Sequence, residues 1–224
     1  MGDSPVLCIA AHPDDEVLGP GGTLARHADA GRDVYVLVVT EGVTQQYDDR
    51  SMIERRARHA RRCADRLGVA EVRFGGLPDM RLDRTPHVEV NGLIEAAIDE
   101  FGPTVVYTHS SHDVNVDHRA VYESTLVATR PSSGVERVLA YEVPSSTEWA
   151  GGDRRPFTPT VYVDVTETLE TKVAAFLEYE SEVREYPHPR SARGLRSIAR
   201  ARGTEAGFDA AEAFSLVREY RTDP

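Results

Sequence analysis

The chain has 224 residues, of which 40% are hydrophobic, and its formal net charge at pH 7 is −11. This length and composition fit one α/β domain with a sizeable core, and the negative charge argues against a nucleic-acid partner, since phosphate binding needs a basic surface. No apolar run approaches the roughly 20 residues of a membrane span, and no secretion signal is recognisable. We therefore expect a cytoplasmic protein in which Cys8 and Cys63 are buried and reduced.

Strands and helices are predicted to alternate through the first half of the chain. Apolar, β-branched runs predict strands at 6–10, 34–40, 72–74 and 104–108. Apolar residues at helical spacing predict helices at 23–30, 51–67 and 88–101. Such an alternation predicts a parallel sheet with right-handed crossovers. The expected fold class is α/β, a single Rossmann-like domain over residues 1–224, with a mostly parallel sheet and helices on both faces.

The second half is less regular. We predict a helix at 117–129, a strand at 138–143 and then a long functional loop at 144–159. An edge strand at 161–165, helices at 169–182 and 191–202, and a last strand at 213–219 complete the prediction. A loop is expected at 45–50, and a turn at 75–79 that places Asp79 beside the ends of the other strands.

The first strand is followed by an unusual group of side chains, His12, Asp14, Asp15 and Glu16. In open α/β sheets the carboxyl ends of the strands are where ligands bind. Acids are also ordinary at the start of a helix, where they complement its dipole. This stretch alone therefore leaves two interpretations open, a solvated turn and a metal site. In the second, His12 and one aspartate bind a divalent cation while the other aspartate acts on water.

A second group follows the fourth strand and contains His109, His112, Asp113, Asp117 and His118. Strands one and four lie side by side in a doubly wound sheet, so the two groups are expected to meet at one crevice. Their meeting favours a metal site over two solvated loops. For His109, His112 and Asp113 we favour loop positions or contacts with the ligands over direct ligation.

Residues 19–22 read Gly-Pro-Gly-Gly and resemble part of a dinucleotide-binding fingerprint. Position 24, however, is leucine rather than glycine, and no Gly-Lys-Ser/Thr follows. We expect these glycines to allow tight turning and close packing of helix on strand, and we assign no nucleotide cofactor.

The stretch Ala11-His12-Pro13-Asp14-Asp15-Glu16, paired with Asp117-His118-Arg119, resembles the signatures of the PIG-L/LmbE-like deacetylases. These are zinc-dependent enzymes that remove the N-acetyl group from N-acetylglucosamine-type substrates, and the resemblance covers most of the chain. It implies that His12, Asp15 and His118 bind zinc or another divalent cation, with Asp14 as the general base. It also implies that Asp117 orients an imidazole and that Asp79 contacts the sugar. Arg190 is a candidate for binding the substrate at the mouth of the pocket.

One position departs from the family pattern. Many members have a histidine where this chain has Asn115, and an amide cannot supply a proton to the leaving amine. The proton then has to come from His188, from His109 or from protonated Asp14. If His188 is the acid, His188→Ala should lower turnover well beyond any change in substrate affinity.

The predicted function is a zinc-dependent N-deacetylase that releases acetate from an N-acetylated amino sugar or its conjugate. The alternatives are an amidase acting on another amide such as a thiol–sugar conjugate, a Mg²⁺-dependent phosphoesterase, and a non-catalytic, metal-stabilised binding protein. Two histidine ligands argue against Mg²⁺, and an aspartate beside the ligands argues against a pure binding role. The expected partner is a small-molecule amino-sugar substrate whose aglycone the sequence does not identify. A homo-oligomer is compatible with the sequence.

Overall fold

Seven strands line up in one sheet in a computed structural model that describes residues 4–43, 51–152 and 154–221. They are β1 (Val6–Ala10), β2 (Val34–Thr40), β3 (Glu71–Leu77), β4 (Val105–His109), β5 (Arg137–Tyr141), β6 (Val161–Asp164) and β7 (Ala211–Glu219). Their spatial order is β3-β2-β1-β4-β5-β7-β6. The first five strands are parallel, whereas β7 runs antiparallel to both of its neighbours. The mostly parallel sheet expected from the sequence is confirmed.

Helices cover both faces of this sheet. They are α1 (Asp15–Leu18), α2 (Gly21–Asp29), α3 (Ser51–Leu67), α4 (His87–Phe101), α5 (Val116–Ala128), α6 (Leu169–Phe176) and α7 (Ala192–Ala206). The helices α4 and α5 share one core cluster with Leu7 and Ile9, while α2, α3, α6 and α7 share the other with Val6 and Cys8. Successive residues of β1 thus point into opposite cores, which explains why this strand is apolar throughout.

The pairing of β1 with β4 positions the candidate site. These strands are neighbours in register, with Val6 opposite Val105 and Cys8 opposite Tyr107. The segment after β1 and the segment after β4 therefore leave the sheet side by side at its carboxyl edge, as the sequence predicted.

Several element boundaries differ from the prediction. The helical region after β1 is two helices, α1 and α2, because Gly19 and Pro20 interrupt it. A Cβ at Gly19 would overlap the ring of Tyr141, so this glycine permits the predicted close packing. The helix α6 ends at Phe176 rather than at 182, and β7 begins at Ala211 rather than at 213.

The predicted turn at 75–79 is wrong in part, because β3 continues to Leu77. The pairing of β3 with β2 changes register between Val38 and Thr40, so that an advance of two residues along β2 matches an advance of three along β3. Gly76, with φ of 69°, provides the backbone conformation that such a bulge needs. The strand therefore bends without ending, and Asp79 still emerges at the carboxyl edge.

Three remaining expectations concern the chain as a whole. Cys8 and Cys63 are buried and unpaired, as predicted. None of the helices within the described ranges is both long and apolar enough to cross a bilayer. The loop predicted at 45–50 lies outside the described residues.

Candidate active site

The turn after β1 has a strained backbone. Asp14 has φ of 116°, a conformation that costs a non-glycine residue about 1–3 kcal/mol and persists only where the surroundings enforce it. Here the backbone N–H of Asp14 donates to Glu16 Oε2 (3.0 Å), and the hydroxyl of Tyr179 donates to Glu16 Oε1 (2.6 Å). The N–H and hydroxyl of Thr40 both donate to the carbonyl of Ala11. The turn is thereby fastened to β2 and to the segment after α6.

Three buried side-chain atoms converge inside this turn. Nδ1 of His12 lies 3.2 Å from Oδ2 of Asp15 and 3.2 Å from Nε2 of His118. The third separation, between Asp15 Oδ2 and His118 Nε2, is 3.4 Å. Ligand bonds of ~2.0–2.2 Å in a tetrahedral zinc site place neighbouring ligand atoms about 3.3–3.5 Å apart. The spacing of these atoms is therefore that of three corners of a small tetrahedral cation site.

The opposite ring nitrogen of His12 faces two carboxylates. Its Nε2 lies 3.3 Å from Asp117 Oδ2 and 3.3 Å from Asp79 Oδ1. Asp117 is fixed in turn by the backbone N–H of Leu82, which donates to its Oδ1. Carboxylates here hold the proton on Nε2, which leaves the lone pair of Nδ1 free to bind a cation.

His118 is oriented in the same way, by Asp113. His118 Nδ1 lies 3.1 Å from Asp113 Oδ2. Asp113 also accepts hydrogen bonds from the hydroxyls of Ser146 (2.5 Å) and Thr147 (2.6 Å), which belong to the loop after β5. This carboxylate therefore connects the loop at 144–159 to the imidazole of His118.

His109 lies behind the converging atoms rather than among them. Its ring stacks on that of His118 with centroids 4.0 Å apart, and its Nε2 accepts from the backbone N–H of Ala11 (2.9 Å). Burial and the neighbouring His118 keep its pKa well below the usual value. The ring is therefore a neutral packing element, in line with the indirect role expected from the sequence.

The electrostatics of the site favour bound positive charge. Burial opposes protonation of His12, but hydrogen bonds to Asp117 and Asp15 outweigh it and raise its pKa to about 10. Burial likewise opposes protonation of His118, yet the charge of Asp15 and the hydrogen bond to Asp113 raise its pKa to about 9. Protons on these imidazoles stand where a divalent cation can replace them, since metal binding releases protons from its ligands. Asp15 Oδ1, moreover, has no hydrogen-bond partner in the described part of the chain.

Comparison with known proteins shows the family of this chain. The family described as PIG-L, GlcNAc-PI de-N-acetylase, matches residues 7–129, more than half of the chain. This chain belongs to the PIG-L family. Diacetylchitobiose deacetylase of Thermococcus kodakarensis is 29% identical over 95% of this chain and 82% of its own length. The uncharacterized deacetylase YaiS of Escherichia coli K12 is 31% identical over 79% of this chain and 90% of its own length.

The fold agrees as well. A conserved protein of Thermus thermophilus with a known crystal structure superposes with a TM-score of 0.79 at 26% identity. The match covers 100% of this chain and 98% of that protein. This chain thus shares its Rossmann-like fold, over its whole length, with a relative of known structure.

Asp14, the base expected from the PIG-L signature, faces arginines. Its Oδ2 lies 3.1 Å from Nη1 of Arg190 and 3.6 Å from Nη2 of Arg56. Burial raises the pKa of Asp14 to about 6, although the charges of Arg190 and Arg56 oppose the rise. Glu182 pairs with both arginines and joins them into one network. Arg190, proposed from the sequence as a substrate contact, is thus also a partner of Asp14.

Arg56 and Glu182 were missed by the sequence analysis, although one signal for Arg56 was present. It falls on the buried stripe of α3 with Ala60, Cys63, Ala64 and Leu67. An arginine on the apolar face of an amphipathic helix needs a buried partner, and this pattern could have identified it. Glu182 gave no such signal, because the sequence placed it at the end of a predicted helix, 169–182, whereas α6 ends at Phe176 and Glu182 lies in the loop that follows.

Asn115 and His188, the other expected catalytic residues, lie at the edge of the site. Asn115 is the N-cap of α5; its Oδ1 accepts from the N–H of Asp117 (2.9 Å) and its Nδ2 donates to Met80 Sδ (3.6 Å). It therefore acts as a helix cap that sets the start of the segment carrying Asp117 and His118. His188 Nδ1 accepts from the backbone N–H of Arg190 (3.0 Å), and its ring meets that of Trp149.

Proposed function

We propose that this chain is a zinc-dependent N-deacetylase that removes the acetyl group from an N-acetylglucosamine-type amino sugar or its conjugate. The convergence of His12 Nδ1, Asp15 Oδ2 and His118 Nε2 is the observation that carries the proposal. Its similarity to diacetylchitobiose deacetylase and YaiS supports the reaction class. The strained Asp14 backbone supports a functional turn, since strain of this kind collects at active sites.

The three converging atoms are proposed to hold the cation. Two imidazoles and one carboxylate suit zinc better than magnesium, which prefers oxygen ligands and keeps several waters. When bound, a divalent cation of this kind polarises the amide carbonyl and makes water acidic enough to attack near neutral pH. Asp117 and Asp79 then keep the proton of His12 on Nε2, and Asp113 does the same for His118 on Nδ1.

Asp14 is proposed to move the proton. A carboxylate with a raised pKa of about 6 is deprotonated at neutral pH yet basic enough to take a proton from the attacking water. Arg190 and Arg56 hold it in place. Protonated Asp14 can then return the proton to the leaving nitrogen. The amide of Asn115 has no proton to give, and its contacts are those of a helix cap.

The substrate contacts are proposed from position. Asp79 borders His12 and Arg190 borders Asp14, so a sugar whose acetamide reaches Asp14 arrives next to both. His188 is the second candidate for the acid. Burial and the charges of Arg190 and Arg184 lower its pKa, which favours the neutral ring and makes it a poorer donor than Asp14.

One experiment separates these roles and the alternative functions. Acetate release from N-acetylglucosamine and N,N′-diacetylchitobiose is measured together with bound zinc for the wild type, Asp14→Asn and His188→Ala. We expect near-stoichiometric zinc in all three, a fall in kcat of about 10²–10⁴ for Asp14→Asn, and a change of only a few fold for His188→Ala.

Each other outcome has a definite meaning. A collapse of kcat in His188→Ala with unchanged KM assigns the acid to His188, as the alternative from the sequence has it. Zinc without acetate from any substrate favours another amide or a binding role. Wild-type protein that binds no zinc contradicts the proposal.

A further inference from the structure

A cavity of about 380 Å³ lies on the face of the sheet that α4 and α5 cover. Its floor contains Ala140 of β5 and Ser215 of β7, which are paired in register. Tyr122 of α5, the turn after β4 and the segment before β6 border it. Its volume is within the range of about 300–1,000 Å³ that is typical of small-molecule sites.

The cavity exists because, among the helices that the structure describes, none after α5 packs on this face of the sheet. The core cluster here contains α4 and α5, whereas α6 and α7 belong to the cluster on the other face. Beyond α5 the walls come from residues 110–112 and 155–158. The second of these segments is anchored to the floor, since Ser215 Oγ donates to the carbonyl of Thr158 (2.9 Å).

The polar part of the lining is rich in hydrogen-bond donors. It consists of a guanidinium, an imidazole and hydroxyls, from Arg155, His112, Ser110, Ser111 and Tyr122. The described lining residues include no aspartate or glutamate, although the chain has 37 acidic residues and a net charge of −11. Donors without a competing carboxylate favour the binding of an anion.

These donors are not used inside the protein. Four of the side chains make no hydrogen bond or ion pair with any residue in the described part of the chain: Ser111, His112, Tyr122 and Arg155. The hydroxyl oxygen of Ser110 accepts from the backbone N–H of His112 (3.3 Å), which leaves its proton available to a ligand. The cavity therefore offers five donor groups to one occupant.

Positive charge also collects around the cavity. Burial and the charge of Arg154 lower the pKa of Arg119, so these two guanidinium groups lie near each other. Arg119 belongs to the first turn of α5, and Arg154 directly precedes Arg155. Such a concentration of like charge raises the local concentration of anions.

The remainder of the lining is mostly apolar and includes Pro156, Phe157, Leu216 and Val217. Donors together with apolar carbon fit a ligand that carries an anionic group on an apolar body. The three terminal oxygens of a phosphate monoester accept from more of these donors than the two oxygens of a carboxylate. We propose that this cavity binds a small organic phosphate whose ester group is apolar.

The cavity is separate from the converging atoms of His12, Asp15 and His118. None of these residues lines it, and neither does Asp14. The turn at 110–113 borders both places, because Asp113 orients His118 while the three residues before Asp113 line the cavity. The inference therefore does not rest on the proposed deacetylase function.

Titration calorimetry of the intact, zinc-loaded chain with phenyl phosphate tests the proposal. We expect saturable binding of one phenyl phosphate, and a Kd that rises at least about tenfold in Arg155→Ala, because a charged donor is lost. Tyr122→Phe removes one hydroxyl and keeps the ring, so it should raise the Kd a few fold. Arg154→Ala is the matched control, since it removes the same charge one position away from a side chain outside the lining, and its Kd should stay within about twofold of the wild type.

Two further probes test the chemical class of the ligand. Benzoate has the same ring with a carboxylate, and inorganic phosphate has the anion without the ring. We expect each to bind several fold more weakly than phenyl phosphate. Benzoate that binds as tightly overturns the preference for phosphate, and inorganic phosphate that binds as tightly overturns the apolar ester group.

Zinc is the other place where phenyl phosphate could bind. Binding that Arg155→Ala leaves unchanged and that a chelator abolishes puts the anion on the proposed zinc site and overturns the cavity. Wild-type protein that binds no phenyl phosphate overturns it as well. Both outcomes leave the deacetylase standing, because acetate release tests that function separately.

Discussion

Among the buried charged side chains of the described residues, two groups differ in how completely their atoms are paired. One is the ligand cluster, defined as His12, Asp15 and His118. The other is the lysine cluster, defined as Lys172 and Glu212. Both are almost fully buried. In the lysine cluster, Glu212 accepts from Lys172 Nζ (2.6 Å) and from the first backbone N–H groups of α2, while Lys172 also donates to a backbone carbonyl.

The ligand cluster is arranged otherwise. Around Asp15 Oδ2, nitrogens of His12 and His118 approach within 3.2–3.4 Å, while Asp15 Oδ1 has no hydrogen-bond partner within the described ranges. The lysine cluster thus joins α2, α6 and β7 and leaves nothing to bind. The ligand cluster gathers three donor atoms at the spacing of the proposed cation site. Burial of charge is common to both, so the convergence of incompletely paired atoms is what distinguishes a site from a structural ion pair.

The largest expected effect comes from opening the ligand cluster. His118→Ala removes one of three donors, so we expect bound zinc to drop far below one per chain and acetate release to fall at least about 10³-fold. Elemental analysis and an acetate assay check this. Zinc is counted per folded chain, because the variant also leaves Asp15 and Asp113 buried without an imidazole partner and should lower the free energy of unfolding. A His118→Ala protein with full zinc and full activity would show that the three atoms do not form the site.

Disrupting the lysine cluster should lower the free energy of unfolding without affecting zinc binding. Lys172→Met leaves Glu212 buried without its cation, which typically costs about 3–5 kcal/mol of the free energy of unfolding. Urea unfolding measures the loss, while zinc per folded chain and kcat should match the wild type. Loss of zinc in Lys172→Met at unchanged stability would remove the distinction between the clusters.

A smaller effect, on the pH dependence of activity, is expected at Asp14. This carboxylate pairs with Arg190, as Glu212 pairs with Lys172. Burial raises its pKa to about 6 while Arg190 and Arg56 oppose the rise. Since Asp14 must be deprotonated to accept a proton, kcat/KM should increase as the pH rises through this value. Arg190→Ala removes a charge that favours the carboxylate, so the acidic limb should move to higher pH by about one unit.

The measurement is the pH profile of kcat/KM for the two proteins. A bound cation shifts the acidic limb to lower pH in both proteins, so the quantity to compare is the difference in limb position between the wild type and Arg190→Ala. Arg193→Ala is the control, because Arg193 lies over the ring of Tyr186 and does not contact Asp14. A limb that stays in place or moves to lower pH in Arg190→Ala would rule out this arginine as the group that holds Asp14 ionised.

Local pattern predicted several elements to the residue. The bounds of β1, β2 and α3 are those expected, because continuous apolar runs mark the strands and Gly68, with φ of 73°, ends the helix. Prediction was weaker where distant contacts decide. The insertion of β7 between β5 and β6, for example, depends on pairing between residues as far apart in sequence as Arg137 and Glu219.

The sequence by itself determined the class of fold, because strand and helix periodicities are local. Its resemblance to the PIG-L signatures is what pointed to His12, Asp15 and His118 as the proposed ligands. Only the tertiary structure decided which groups surround them. Arg56 and Glu182 are 126 positions apart yet paired, and Asp113 meets Ser146 and Thr147 across the sheet edge. These contacts depend on how strands are ordered and where loops cross. No local periodicity records either, so the network around Asp14 and the cavity beside β5 and β7 became visible only in the folded chain.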